Sequence, residues 1–409
     1  MRHYSEYMRQ THRKSKQHAT AKAVSSARPK SNQRDLLNLL EQRQPEMIAL
    51  IRTMVQQESP TSSKQAVDAF GGWLAAELEK LGGALTVHRA SHFGDHIQAD
   101  FTVPAGKPVL LLGHFDTVWN LGTIAKMPWR EQDGRLWGPG VLDMKTGIAH
   151  MMFALAALRE VRAALPRPVT ILLVSDEEVG SDSSRHITES VAKNCAAVFV
   201  IEPSFGLQGA LKTARKGVGD FIVKVAGKAA HAGLDFEKGH SAVLELSRQI
   251  LKIAKFTNLK RGITVNPGVI TGGTRTNVVA AEAHVEVDLR IAKLVDAAGL
   301  EKKFHSLKPF DKNCKIEVTG GLNRPPLERS PAVVKLFHHA ESLAREMGFK
   351  LDEASVGGGS DGNFTAALGI PTLDGLGAVG EGAHAANESV LVSHLAKRTA
   401  LLARLIETV

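Results

Sequence analysis

The chain has 409 residues, 43% hydrophobic and 23% charged, with two cysteines and a formal net charge of +9. That composition excludes disordered, collagen-like and coiled-coil chains, and the length argues for two domains or for one domain carrying a large insertion. The longest uninterrupted apolar run, Met151–Leu158, stops at eight residues, so a soluble chain with no membrane partner is expected.

The charge is unevenly placed. Residues 1–34 carry nine basic residues (Arg2, Arg9, Arg13, Lys14, Lys16, Lys22, Arg28, Lys30 and Arg34) against Glu6, which leaves the remainder nearly neutral. Residues 1–35 are therefore expected to form a disordered basic tail. The tail lacks the apolar stretch of a secretory signal. A non-enzymatic binding protein whose tail contacts nucleic acid is the alternative from another class, but the near-neutral body carries no nucleic-acid-binding motif, so no such partner is expected. Cys195 and Cys314 form no CxxC pair, which points away from a disulfide framework and a thiolate zinc site and towards the cytoplasm.

From Asp35 to Gln57 apolar residues recur at helical spacing, with Pro45 starting a fresh first turn. A second helical pattern covers Lys64–Leu81 and stops at Gly82–Gly83. Then the period changes. Residues 108–113, 168–175 and 196–201 are short, almost continuously apolar runs, the mark of strands buried on both faces, and a strong helix over Thr146–Val161 lies between the first two. Alternating strands and helices imply an α/β fold with a mostly parallel sheet.

From about residue 213 the strands alternate apolar and polar residues, as in Val285-Glu-Val-Asp-Leu-Arg-Ile291, which indicates a sheet with one wet face. The order strand 220–226, helix 241–255, strands 263–271 and 281–291, helix 295–307 and strand 315–318 matches a βαββαβ, ferredoxin-like unit. After Pro325–Pro326 the parallel-sheet pattern resumes: a helix over Pro331–Met347, the glycines 357–359, a strand near Ile370–Leu373 and a closing helix over Ser393–Thr408. The expected organisation is a catalytic domain of residues 36–212 and 327–409 interrupted by an inserted domain of 213–326.

Open α/β sheets place their sites at the carboxyl ends of strands. Here those ends carry His114 and Asp116, then Asp176, Glu177 and Glu178, then Glu202, while Asp143 precedes a helix and His384 follows a late short strand. Such a cluster of acids repels itself unless cations are present. Mixed imidazole and carboxylate ligands suit zinc, with cobalt or manganese possible, and two ions sharing one carboxylate fit five such groups better than a single ion with three protein ligands.

His114-Phe-Asp116-Thr, Gly138-Pro-Gly-Val-Leu-Asp143-Met-Lys145, Ser175-Asp-Glu177-Glu178-Val-Gly-Ser181, Glu202-Pro203 and Gly382-Ala-His384 resemble the five signature segments of the dinuclear zinc aminoacylase/carboxypeptidase family. The resemblance runs from about residue 36 to the end. It implies that Asp143 bridges two zinc ions, that His114 and Glu202 hold one and Glu178 and His384 the other, and that Asp116 orients His114. It also implies amide hydrolysis by a metal-bridging hydroxide with Glu177 as general base, and an insert that acts as lid and homodimer contact. His231 resembles the family histidine that reaches the partner's site, and Asn277 the asparagine that holds substrate. Gly138-Pro139-Gly140 is similar to the family's glutamate carboxypeptidases, where many deacylases carry arginine at the position of Pro139. The implied substrate is a peptide or an N-acyl or folate-type conjugate with a C-terminal acidic residue, glutamate, its carboxylates gripped by Arg290, Arg324 and the amides of Gly358 and Gly359. An N-acyl-amino-acid deacylase is the alternative.

Overall fold

The computed structural model describes residues 33–409 except 105 and 163, so the expected tail lies outside the described residues up to the first helix, Gln33–Gln42. Pro45 sits in the first turn of the next helix, Gln44–Val55, where a missing N–H goes unnoticed. A third helix, Lys64–Lys80, starts at Ser63, whose hydroxyl accepts the Ala66 N–H, and stops before Gly82, whose φ of +79° closes it.

The central sheet has six strands in the order Ala84–His88, His96–Phe101, Val169–Val174, Val109–His114, Ala197–Val200 and Thr372–Leu373. The last four run parallel, and the first two form an antiparallel edge that the sequence pattern did not suggest. Side chains alternate across the parallel strands: Val109, Leu111, Ile171, Leu173 and Phe199 join the main helical core, while Leu110, Leu112, Leu172, Val174, Val198 and Val200 face a smaller cluster that includes Ala192 of helix Arg185–Ala192. Both faces are covered, which is why these strands read as unbroken apolar runs. The segment Val141–Arg162 is long and apolar enough to cross a membrane by composition, but its most apolar window is 89% buried inside the protein.

The insert is a four-stranded antiparallel sheet in the order Thr264–Gly272, Glu282–Ile291, Gly217–Ala226, Lys315–Arg324, with helices Ala242–Ala254 and Ala297–His305 between strands in βαββαβ sequence. It has its own core, in which Phe221 stacks on Phe304 at 3.9 Å between ring centroids. Its last strand runs six residues past the expected Val318 and ends on Arg324, beside Glu177. Two small sheets complete the structure: Leu211–Arg215 pairs in parallel with Glu353–Val356, and Gly380–Glu381, Ser389–Leu391, Arg135–Trp137 and Arg130–Gln132 form the other.

His150, fully buried in helix Thr146–Arg162, has its pKa pushed down to about 3, first by burial and then by the Arg398 guanidinium. In the unfolded chain it titrates near 6.5. Its contribution to stability is therefore complete above pH 6.5 and is lost progressively as pH falls from there towards 3. Between pH 7 and 5 the loss is about 2 kcal/mol. His150→Leu is expected to flatten that part of the pH dependence of the urea midpoint; a wild-type and a variant profile that fall in parallel would contradict the assignment.

Candidate metal centre

The ends of the central strands converge on one edge. Strand Val109–His114 delivers His114 and, two residues on, Asp116; strand Ala197–Val200 leads to Glu202. After strand Val169–Val174 the chain makes a single tight turn over Glu177–Val179. The Asp176 carboxylate holds the following loop by accepting the Ser183 N–H at 2.8 Å, the Ser183 hydroxyl at 2.7 Å and the Ser184 hydroxyl at 2.6 Å. Asp143 stands at the entry of helix Thr146–Arg162, just after Gly140, which adopts φ +71° and would bring a Cβ within 2.8 Å of Thr117. His384 comes from the loop between strands Gly380–Glu381 and Ser389–Leu391.

The two oxygens of Asp143 face different histidines. Oδ1 lies 3.1 Å from His114 Nε2, which is also 3.5 Å from Glu202 Oε1. Oδ2 lies 3.4 Å from His384 Nε2, which is 3.2 Å from Glu178 Oε2. Two ligands held tetrahedrally at about 2.0–2.2 Å from one zinc ion stand roughly 3.3–3.6 Å apart, so these imidazole–carboxylate spacings are close to those of ligands to a shared ion. His114, Asp143 and Glu178 offer ligand atoms within 4.8 Å of one another, as do His114, Glu177 and Glu202. Glu178 Oε1 is buried with no hydrogen-bond partner among the described residues, as expected of an oxygen that serves a cation. His114 Nδ1 donates to the Asp116 carbonyl at 3.0 Å and lies 3.3 Å from Asp116 Oδ1, which leaves Nε2 for the cluster. Asp116 is itself fixed by the Thr61 hydroxyl at 2.8 Å and the Glu178 N–H at 3.3 Å.

The charges are strongly coupled. Burial lowers the His114 pKa, but its bonds to Asp116, Asp143 and Glu202 prevail and carry it well above the ordinary imidazole value. Asp143 and Glu178 raise His384 to about 10. Burial alone would push Asp143 up; the two histidines outweigh it and hold it well below the carboxylate range. Glu177 is driven well above its ordinary value, by burial first, against the pull of Arg324. A ligating imidazole is neutral, so a divalent ion held by His114 and His384 would supply the positive charge that their protons supply otherwise.

Glu177 sits beside the cluster, its Oε1 accepting from Arg324 Nη2 at 3.0 Å. The same nitrogen reaches Asp361 Oδ1 at 3.0 Å and Ser181 Oγ at 2.8 Å, so Arg324 stands against the expected base with 7% of its surface exposed. Arg290 Nε donates to both oxygens of Asp288, at 3.0 and 2.9 Å, and its Nη2 lies 2.7 Å from Oδ2. Gly358 and Gly359 present their carbonyls to Arg215 Nη1, and Gly359 packs against Arg324 so closely that a Cβ would meet its Cδ at 3.0 Å. His231 and Asn277 are exposed neighbours on the insert, joined through the Ala232 N–H and the Asn277 carbonyl, and the structure does not bring them to the cluster within this chain. His231 Nδ1 accepts the N–H groups of Gly233 and Leu234, which directs its Nε2–H outward.

Several partners escaped the sequence reading. Arg215 lies 3.7 Å from Glu202 and forks onto Asp374 at 2.7 and 2.8 Å, on a strand too short and mixed to be read as one. Ser181 stood inside a motif segment and Asp361 just after the glycines 357–359, with nothing local to mark them as partners of Arg324.

Residues 110–408 match the profile of peptidase family M20/M25/M40. The chain belongs to that family. It is 30% identical over 396 residues, 95% of each chain, to carboxypeptidase G2 of Pseudomonas sp. (strain RS-16). Among solved structures it is similar to aminopeptidase PepT of Bacillus cereus, with a TM-score of 0.71 and 22% identity, covering 89% of this chain and 98% of that one. It is also similar to the Bacillus subtilis YXEP protein, described as a dinuclear metal-binding peptidase of the M20 family, with a TM-score of 0.63, 15% identity, and 90% and 98% covered. This M20 chain is accordingly an enzyme, a metallopeptidase.

Zinc added to chelator-stripped protein is expected to raise the thermal midpoint, since about a thousandfold excess over the dissociation constant adds about 4 kcal/mol, a shift of about five degrees for a chain of this length. Asp143→Ala should abolish most of that shift. An unchanged zinc response in differential scanning fluorimetry would remove Asp143 from the centre.

Proposed function

We propose that this M20 enzyme is a dinuclear zinc exopeptidase that hydrolyses the amide bond preceding a C-terminal acidic residue, glutamate, of peptides or of N-acyl or folate-type conjugates. The observation that carries the reading is the Asp143 carboxylate, with one oxygen turned to His114 and the other to His384. His114 and Glu202 would hold one ion, Glu178 and His384 the other, and Asp143 both; cobalt or manganese suit the same donors. When bound, the two cations polarise the scissile carbonyl and acidify the attacking water.

The rest is work for the chain's own residues. Glu177 takes the water proton and returns it to the departing amide nitrogen, a task suited to a carboxylate whose pKa burial raises above its ordinary value. Arg324, bonded to that carboxylate, limits the rise and keeps Glu177 pointed at the cluster. A substrate α-carboxylate held by Arg324 and the Gly358–Gly359 amides would lie next to the base. Arg290 would join only by leaving Asp288. Carboxypeptidase G2 as the relative matched over 95% of both chains supports the carboxypeptidase direction over the deacylase one.

The insert supports a homodimer. Its outermost strand Thr264–Gly272 exposes Val269 and Ile270, and helix Ala242–Ala254 exposes Leu244 and Leu251, a face and an edge suited to a second copy. His231 and Asn277 would then serve the partner's centre. Free, buried Cys195 and Cys314 suit a reducing compartment, and we place the enzyme in the cytoplasm.

Glu177→Ala should lose about 10²–10⁴ in kcat while retaining its zinc, whereas Asp143→Ala should lose both; equal metal contents in the two variants would undo this division of roles. For specificity, kcat/KM for N-acyl-Glu should exceed that for N-acyl-Gln by roughly 10- to 150-fold, the loss of one charge-assisted contact. Equal rates would favour the deacylase. For the dimer, mixing inactive His231→Ala and Glu177→Ala chains should restore activity in heterodimers, and no recovery despite subunit exchange would exclude action across the interface.

A further inference from the structure

Glu388 has no part in the proposed reaction, yet its carboxylate accepts four N–H groups beside the metal-binding loops. The side chain is 1% exposed. Oε1 accepts the N–H of Leu142 at 2.8 Å and of Asp143 at 3.1 Å; Oε2 accepts the N–H of Gly140 at 2.8 Å and the indole N–H of Trp119 at 2.8 Å. Four N–H donors on one buried carboxylate saturate its accepting positions.

The donors are not a random sample of the fold. Trp119 follows His114 and Asp116 on the same loop. Gly140, Leu142 and Asp143 make up the turn that presents the shared carboxylate. Glu388 is four residues after His384, and its own N–H closes that turn on the Ala385 carbonyl at 2.9 Å. Three separate segments, each carrying a metal-binding side chain, thus meet at one anion, and the Asp143 backbone N–H is itself one of the bonds. Strand pairing reinforces the junction, because Ser389, next in sequence, lies opposite Trp137, one residue before the glycine turn.

An ordinary turn-capping role would need only the Gly140–Leu142 bonds and would be indifferent to where His384 and Trp119 lie. A neutral amide cannot replace this group: glutamine offers one oxygen, and its NH₂ would face N–H donors on the other side, leaving two of the four without an acceptor.

We propose that Glu388 is the positioning residue of the metal centre, setting the angle at which Asp143 divides its two oxygens between the His114 and His384 halves, and through that angle the affinity for the second ion. The proposal rests on the reading of this cluster as a dinuclear metal centre, and its test separates the two. Wild type, Glu388→Gln and Trp119→Phe are stripped, reloaded with zinc or cobalt(II), and compared by metal content after dialysis, by competition with a chromophoric chelator, and by the cobalt visible spectrum. Leu246→Ala, in the separate core of the insert, serves as a destabilised control remote from the centre.

Wild type is expected to hold two ions per chain. Glu388→Gln should bind the weaker one about 10- to 100-fold less tightly, the usual consequence of losing a residue that orients a ligand, and should show an altered cobalt spectrum. Leu246→Ala should keep wild-type affinity and spectrum despite its lower thermal midpoint. Trp119→Phe removes one donor and leaves the other three bonds in place, so it stays readable even if Glu388→Gln does not fold; a severalfold loss in the same direction is expected. Wild-type affinity and spectrum in either folded variant overturn the proposal while leaving the metal centre standing. A wild-type chain that takes up no metal overturns both.

Discussion

The Asp143 carboxylate lies between two imidazoles, and most of the surrounding architecture follows from the need to keep it there. Asp143, Glu177, Glu178 and Glu202 all reach the same edge of the sheet, where burial of unpaired carboxylates costs several kcal/mol each. The fold meets this cost with two guanidiniums fixed from outside the cluster and two imidazoles within it. Arg324 lies against Glu177, Arg215 approaches Glu202 while forking onto Asp374, and the two histidines share Asp143. Because these bonds come from rigid strand ends, the acids stay together instead of relaxing apart.

The supporting groups are as deeply set as the ligands. Arg398, fully buried in the last helix, donates to the carbonyls of Gly209, Gly375 and Gly377, and Gly377 in turn donates to the Glu202 carbonyl at 2.9 Å. The loop after Glu202 and the loop after Thr372–Leu373 are thereby held to the body. On the opposite side, Arg324 is the terminal residue of the insert's last strand and bonds Glu177, the proposed base. A shift of the insert would move a guanidinium that stands 3.0 Å from Glu177, so the position of the insert is felt electrostatically at that carboxylate.

Much of this was legible in the sequence because the parallel strands are buried on both faces. Runs such as Val-Thr-Ile-Leu-Leu-Val can be located by hydropathy alone, and where they stop, the chemistry begins. His114, Glu177, Glu178 and Glu202 were found that way, and the structure gathers them with Asp143 and His384. The antiparallel edge was not legible. Ala84–His88 is exposed or half-exposed throughout and its partner strand mixes His96, Gln98 and Asp100 with apolar residues, so neither shows a clean period. Supporting residues were hidden for a different reason. Glu388 stands in the unremarkable stretch His-Ala-Ala-Asn-Glu-Ser and meets Gly140 across 248 residues; Arg324 meets Glu177 across 147. Nothing local marks a contact that only the closed sheet creates.

The central claim is that one carboxylate is shared by two ions. Anomalous diffraction recorded above the zinc edge from zinc-loaded crystals tests it directly. The account predicts two peaks per chain, one beside His114 and Glu202 and the other beside Glu178 and His384, with Asp143 between them. A single peak, or two peaks with Asp143 touching only one, would contradict it.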